Sequence, residues 1–240
     1  MVSGENVTDP RLPILVERIH AVDERIRSAC RRAGRDRAGV TLVAVTKSVS
    51  VEIAVLLPEV GIVDLGESRP QELWNKATAL PDTVRWHLIG HLQRNKVERT
   101  LSRVHLIHSV DSVRLLEALE REAANRAQLL DVLLEVNASA EASKHGFPPA
   151  EVPHLVGKLR ELRHVRVQGL MTMAALEPEP ERCRVTFAAL RALRDGLRTA
   201  VGAAQPLTHL SMGMSNDFEI AVEEGATLVR IGSALFEGLA

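Results

Sequence analysis

The chain contains no tyrosine, two cysteines, two tryptophans and four phenylalanines. The missing phenol excludes every mechanism that needs tyrosine as acid or base. Cys30 and Cys183 stand far apart in no metal-ligand spacing, and are read as reduced thiols. No apolar run approaches the roughly 20 residues that span a bilayer, and the N-terminus lacks the basic and apolar regions of a signal peptide. A cytoplasmic protein without membrane association is therefore expected. A formal net charge of −1 over 240 residues, with no dense basic patch, leaves no electrostatic footprint for nucleic acid. Lysine is scarce as well, with five among the 30 basic residues.

What is present is a globular composition, 45% hydrophobic and 25% charged, large enough to bury a sizeable core. Eight strand-like apolar runs recur near 42–47, 62–67, 85–89, 106–110, 131–137, 167–173, 209–212 and 228–231. They are too continuously apolar for a half-exposed sheet and suit parallel strands covered on both faces. Helical signals fill the intervals. Leu15, Ile19, Val22 and Ile26 share one face; Asp111 or Ser112 can cap a helix; Pro148-Pro149 opens another; a long Arg/Leu/Ala helix covers about 181–201. Eight βα units without a composition break predict one α/β domain over 1–240, a single (β/α)₈ barrel with an extra N-terminal helix. An open doubly wound sheet is the alternative, but no Gly-x-Gly-x-x-Gly follows the first run.

In a barrel the C-terminal strand ends share one mouth, where active sites are built. Lys47 closes the first run. An amine held there against apolar neighbours is a candidate for Schiff-base chemistry, against the plainer reading of a lysine snorkelling to solvent. Ser211, Gly213, Gly232 and Ser233 end the last two runs and suit either an anion cradle or ordinary turns. Arg230, inside an apolar run, needs a buried partner: a carboxylate such as Glu135, or a ligand. His87 and His91 straddle a strand end and Gly90, so metal binding is not expected of that pair. Asn216 and Asp217 are expected to cap a helix beginning near Phe218.

Seven segments occur in order: Ala44-Val45-Thr46-Lys47, Leu65-Gly66-Glu67-Ser68, Trp86-His87-Leu88-Ile89-Gly90-His91-Leu92-Gln93-Arg94-Asn95-Lys96, Ser143-Lys144-His145-Gly146, Gly169-Leu170-Met171, Leu210-Ser211-Met212-Gly213-Met214-Ser215 and Val229-Arg230-Ile231-Gly232-Ser233-Ala234-Leu235-Phe236. Together they resemble the YggS/PROSC family of pyridoxal phosphate homeostasis proteins. The resemblance implies a barrel of the alanine racemase N-terminal type (PLP fold type III) holding pyridoxal 5′-phosphate (PLP) as a Schiff base on Lys47. It further implies Arg230 at the pyridine nitrogen, and Ser211, Gly232, Ser233 and the backbone near Met212 at the phosphate. Ser68, standing where the family has asparagine beside the ring, and Met171 are carried over as further contacts. Lys144 is carried over as a residue of a second site or release route.

The function so implied is intracellular PLP buffering or delivery without substantial catalysis, by a monomer or weak homodimer, with PLP-dependent apo-enzymes as recipients. The sequence stops at Ala240, just past the eighth run, so no second domain bringing a catalytic tyrosine is expected. Two alternatives stand beside this: a single-domain PLP-dependent amino-acid racemase or lyase, with His209 as an available base, and a cofactor-free Schiff-base aldolase.

Overall fold

The computed structural model describes residues 9–139, 145–175, 177 and 179–239. Eight parallel strands close into a barrel in chain order: β1 (Thr41–Val45), β2 (Asp64–Glu67), β3 (Arg85–Leu88), β4 (Leu106–Val110), β5 (Leu130–Glu135), β6 (Val165–Met171), β7 (His209–Ser211) and β8 (Leu228–Ile231). β8 returns to β1 with Thr41 opposite Leu228 and Ala44 opposite Ile231, which removes both sheet edges. Helices fill the intervals, as a parallel barrel requires. Among the described residues no helix is long and apolar enough to cross a membrane.

The apolar strand residues divide into two clusters. Leu65, Ile107, Leu134 and Val229 point outward into a continuous core shared with the helices. Inside the barrel the apolar cluster is small: Val43, Leu106, Leu133, Met171 and Leu228, with Met173 packed against it. The extra helix Arg11–Arg32 buries Leu15, Ile19, Val22 and Ile26, as its periodicity predicts. It packs against the helices Phe218–Glu223 and Ser233–Phe236, with the Arg25 guanidinium 4.5 Å above the Phe218 ring.

Several element ends differ from the sequence expectation for physical reasons. β1 stops at Val45 because the chain turns at Thr46: its N–H still donates to the Gly66 carbonyl at 2.9 Å, but its hydroxyl bonds Glu67 at 2.6 Å and its carbonyl accepts from Val49 N–H. The segment after Pro148 is a 3₁₀ helix over Pro149–Leu155 and becomes α-helical only at Val156. Pro153, which has no N–H and crowds the preceding turn, accounts for the delay. Ser112, not Asp111, caps the helix Val113–Asn125, accepting from Leu115 N–H at 3.3 Å. Asp217 precedes Phe218–Glu223 but does not cap it with its side chain; Oδ1 accepts from Met214 N–H at 2.6 Å and closes the loop after β7.

β6 and β7 approach closely at Gly169, where a Cβ would stand 1.9 Å from the His209 carbonyl oxygen. Gly169→Ala is therefore expected to destabilise the fold by about 3 kcal/mol. An unchanged denaturant midpoint would contradict that backbone approach.

Candidate functional site

The C-terminal ends of β1, β2, β3 and β8, with the loops after β6 and β7, surround a cavity of about 520 Å³. Lys47, Ser68, Arg230, Gly232 and Ser233 all line it, so five of the predicted residues meet at one place. The loop after β7 adds Met214, Ser215 and Asn216, and the segment after β6 adds Met173, Ala175 and Cys183. Ser215 also accepts from Ala234 N–H at 3.3 Å, tying the β7 loop to the helix after β8.

Lys47 does not sit buried against the β1 run. It lies two residues past the strand and its side chain is exposed to the cavity and solvent. Among the described residues no ion pair or side-chain hydrogen bond engages it. Desolvation by apolar neighbours is therefore not what distinguishes this amine; its distinction is its position in the cavity.

The buried lysine is another one. Lys76, in the helix Pro70–Lys76, is 3% exposed and donates to the Thr46 carbonyl at 2.6 Å and to Glu67 Oε1 at 2.7 Å. Glu67, at the end of β2, is fully buried, and Thr46 Oγ1 donates to the same oxygen. The Thr46 carbonyl belongs to the peptide immediately before Lys47. This buried pair clamps the ends of β1 and β2 and fixes the backbone from which Lys47 projects.

Arg230, 4% exposed, enters the barrel interior from β8. Nη1 donates to Ser211 Oγ at 2.6 Å and Nη2 to the Thr172 carbonyl at 3.0 Å. Glu135 forms no ion pair with it; the attraction between them acts at longer range. Burial pulls the Arg230 guanidinium down to about 10, opposed by the charges of Asp217 and Glu135, and leaves it a cation at neutral pH.

Below Arg230 a hydrogen-bonded column descends through the barrel. Ser211 Oγ lies 2.8 Å from His108 Nδ1, His108 Nε2 lies 2.9 Å from His87 Nδ1, and His87 Nε2 lies 2.9 Å from Asp64 Oδ1. Asp64 opens β2 at the opposite end, where Arg85 Nε also donates to Oδ1 at 2.8 Å. Burial alone would raise the Asp64 carboxyl, but hydrogen bonds from His87 and Arg85 outweigh it and hold the group at about 2. Burial depresses His87 against the opposing pull of Asp64, and depresses His108 well below its ordinary value, reinforced by the Arg230 charge.

A carboxylate below and neutral imidazoles above assign every proton. His87 carries hydrogen on Nε2 and donates to Asp64. Its bare Nδ1 accepts from His108 Nε2–H, and the bare Nδ1 of His108 accepts from the Ser211 hydroxyl. Ser211 is then free to accept from Arg230. The column is polarised in one direction, from guanidinium to carboxylate.

The remaining predicted positions lie elsewhere. Ser211 is fully buried behind the cavity wall, its hydroxyl committed to Arg230 and His108. Met212 faces the outer core and Met171 the inner cluster, both fully buried. Lys144 lies outside the described residues. His209 opens β7 at the end away from the mouth, bonded to Thr227 Oγ1 at 3.1 Å, so it is not placed as a base for chemistry at Lys47. Glu135, at the inner rim, is pushed up to about 7 by burial and by the Asp111 charge.

Sequence reasoning missed Lys76, His108 and Asp64. One signal was available for each of the first two. Glu67 at a strand end requires a buried cation, and His108-Ser109 interrupts an otherwise apolar strand. Nothing in the local sequence links Asp64 to Arg230, because only barrel closure aligns β2, β3, β4, β7 and β8.

Comparison with known proteins agrees with this architecture. A family profile described as alanine racemase, N-terminal domain, matches residues 18–239. The chain is 43% identical over 221 residues to the pyridoxal phosphate homeostasis protein of Aquifex aeolicus, covering 92% of this chain and 96% of that one. The pyridoxal phosphate homeostasis protein of Homo sapiens is 34% identical over 239 residues, covering 91% and 84%. PipY of Synechococcus elongatus, solved with PLP bound, superposes with a TM-score of 0.80 at 33% identity, covering 92% of this chain and 99% of that one. An alanine racemase of Clostridium difficile superposes with a TM-score of 0.71 at 16% identity over 92% of this chain and 55% of its own, a likeness of fold alone.

The buried groups make two measurable statements. Lys76→Ala leaves the Glu67 charge without its cation and should destabilise by about 3–5 kcal/mol, while Lys76→Met combined with Glu67→Gln should recover most of that loss. Equal denaturant midpoints for the single and double variants would contradict the clamp. His108 stays neutral in the fold but takes up a proton near its ordinary 6.5 when unfolded, so its burial disfavours the fold progressively as pH drops below 6.5. The stability difference between wild type and His108→Gln should therefore shift in the variant's favour below that pH, by about 1.4 kcal/mol per unit. A difference independent of pH would contradict the buried neutral imidazole.

Proposed function

The chain belongs to the family of pyridoxal phosphate homeostasis proteins, and on that premise we propose that it holds PLP at the barrel mouth on Lys47, as a carrier that buffers or delivers the cofactor. The observation that carries the reading is the meeting of an exposed amine, a buried guanidinium and a strand end of small residues in one cavity. Its volume of about 520 Å³ falls within the range of about 300–1,000 Å³ usual for small-molecule pockets.

The residues present suit the cofactor. PLP, when bound, supplies an aldehyde that condenses with a primary amine and a pyridine ring whose electron-withdrawing power depends on protonation of its nitrogen. Lys47 offers the amine, held in place by the Thr46 carbonyl clamp behind it. Gly232 and Ser233 follow β8 with little side-chain bulk, which lets backbone and hydroxyl donors approach an anion. Arg230 keeps a permanent cation at the cavity wall, which disfavours a second positive charge beside it. Such an environment restrains carbanion chemistry and suits retention of the cofactor. Ser211 serves by holding Arg230, not by reaching the cavity itself.

The same cavity supports a carrier over a two-base racemase. Its described lining contains neither histidine nor tyrosine, and its Asp217 is occupied by Met214 N–H. PLP-dependent apo-enzymes are the recipients such a carrier would serve.

Borohydride reduction of the yellow protein, followed by intact mass and peptide mapping, is expected to place one pyridoxyl phosphate adduct on Lys47. Lys47→Ala should abolish it. Arg230→Gln should keep the adduct but shift the absorption of bound PLP and accelerate its release. A colourless protein, or an adduct retained in Lys47→Ala, would overturn the assignment and reopen the cofactor-free aldolase reading.

A further inference from the structure

Away from Lys47, on the β3–β5 side of the mouth, three side chains from three segments converge. His91 follows β3, Asp111 follows β4 directly, and His145 lies in the segment after β5. Each offers one ligand atom, and these atoms all lie within 4.8 Å of one another. His91 Nδ1 stands 2.7 Å from Asp111 Oδ2, and the His91 and His145 rings stack with centroids 5.1 Å apart and planes 20° from parallel.

The supports of this cluster are part of the barrel. Ser109 Oγ donates to the Gly90 carbonyl at 2.6 Å, which fixes the backbone just before His91. Gly90 itself has no room for a side chain, since a Cβ would stand 2.2 Å from the Ser68 carbonyl oxygen. Phe147 N–H donates to the Glu135 carbonyl at 2.8 Å, and Asn137 N–H to the Phe147 carbonyl at 3.0 Å, which ties the His145 segment to the end of β5.

A second observation points to a cation. Glu135 is 4% exposed and, two residues after the inward-facing Leu133, projects to the inner rim. Its carboxylate has no side-chain hydrogen bond or ion pair among the described residues, yet it lies within electrostatic range of Asp111 and His91. Two carboxylates thus share one rim, one of them buried.

We propose that His91, Asp111 and His145 bind one divalent transition-metal ion of the zinc class at the rim of the barrel mouth, with Glu135 as buried counter-charge. Two imidazole nitrogens and one carboxylate oxygen suit Zn²⁺, Co²⁺ or Ni²⁺ better than Mg²⁺ or Ca²⁺, which favour all-oxygen sets. Ligands at about 2.0–2.2 Å from a tetrahedral ion stand about 3–3.5 Å apart. Rotation of the two exposed imidazoles closes the difference, and the His91–Asp111 hydrogen bond gives way to the shared metal. Three protein ligands leave a coordination position open to water. The site is independent of the Lys47 reading and uses none of its residues.

The test uses the untagged full chain, dialysed against chelator and titrated with Co²⁺ by visible absorption and with Zn²⁺ by calorimetry. One ion per chain is expected, with the visible bands of low-coordinate Co²⁺. Affinity should fall about tenfold or more in His91→Ala, His145→Ala and Asp111→Asn. It should stay unchanged in His20→Ala, an exposed histidine of the N-terminal helix, remote from the cluster in sequence. Far-ultraviolet circular dichroism confirms that each variant is folded; His91 and His145 are exposed, so their removal leaves the core intact. Absence of stoichiometric binding, or equal binding in wild type and both histidine variants, would overturn the proposal.

Discussion

Arg230 carries a full positive charge into the interior of a β-barrel, and the groups beneath it are arranged around that charge. An unpartnered guanidinium there would be expelled or would open the barrel to water. Here both terminal nitrogens donate within the barrel, one to Ser211 and one to the Thr172 carbonyl. Ser211 can accept only because its own hydrogen goes to His108, which in turn donates to His87, which donates to Asp64. The charge at the mouth and the charge at the floor are joined by four neutral-to-neutral or charge-assisted hydrogen bonds whose direction is set at both ends. Interior volume that most barrels fill with branched aliphatic layers is given to this column, leaving five buried apolar residues in the inner cluster.

The division of labour between layers follows from this. Stability is concentrated in the outer core between strands and helices, where the large apolar side chains are buried. The inner layer orients polar groups. Lys47 illustrates the separation: its side chain is exposed, while the peptide before it is held by the buried Lys76–Glu67 pair. The amine is thereby placed by its backbone and left exposed in the cavity.

The sequence carried the architecture well because parallel barrel strands are buried on both faces. Runs such as 106–110 and 228–231 match their strands to the residue. Two of the misplaced boundaries turn on single residues, Thr46, whose carbonyl turns away after β1, and Pro153, which delays a helix. Within the candidate site the mouth residues were legible from ordered motifs at strand ends: Lys47, Ser68, Arg230, Gly232 and Ser233 meet in the cavity. The groups that act one step removed were not. Lys76 looks like an ordinary helical cation until the fold buries it, and Asp64 looks like a strand-start residue until barrel closure stacks it below His87. The same holds for His91 and His145, whose partner Asp111 comes from a third segment; a motif scan along the chain cannot see a cluster assembled across strands.

The polarised column is the claim on which the placement of Arg230 depends, and nitrogen-15 spectroscopy of the histidine side chains reads it directly. At neutral pH, His87 and His108 should both be neutral with hydrogen on Nε2 and a bare, hydrogen-bonded Nδ1. An imidazolium at either residue, or hydrogen on Nδ1 of His108, would reverse the direction of the chain and contradict the account.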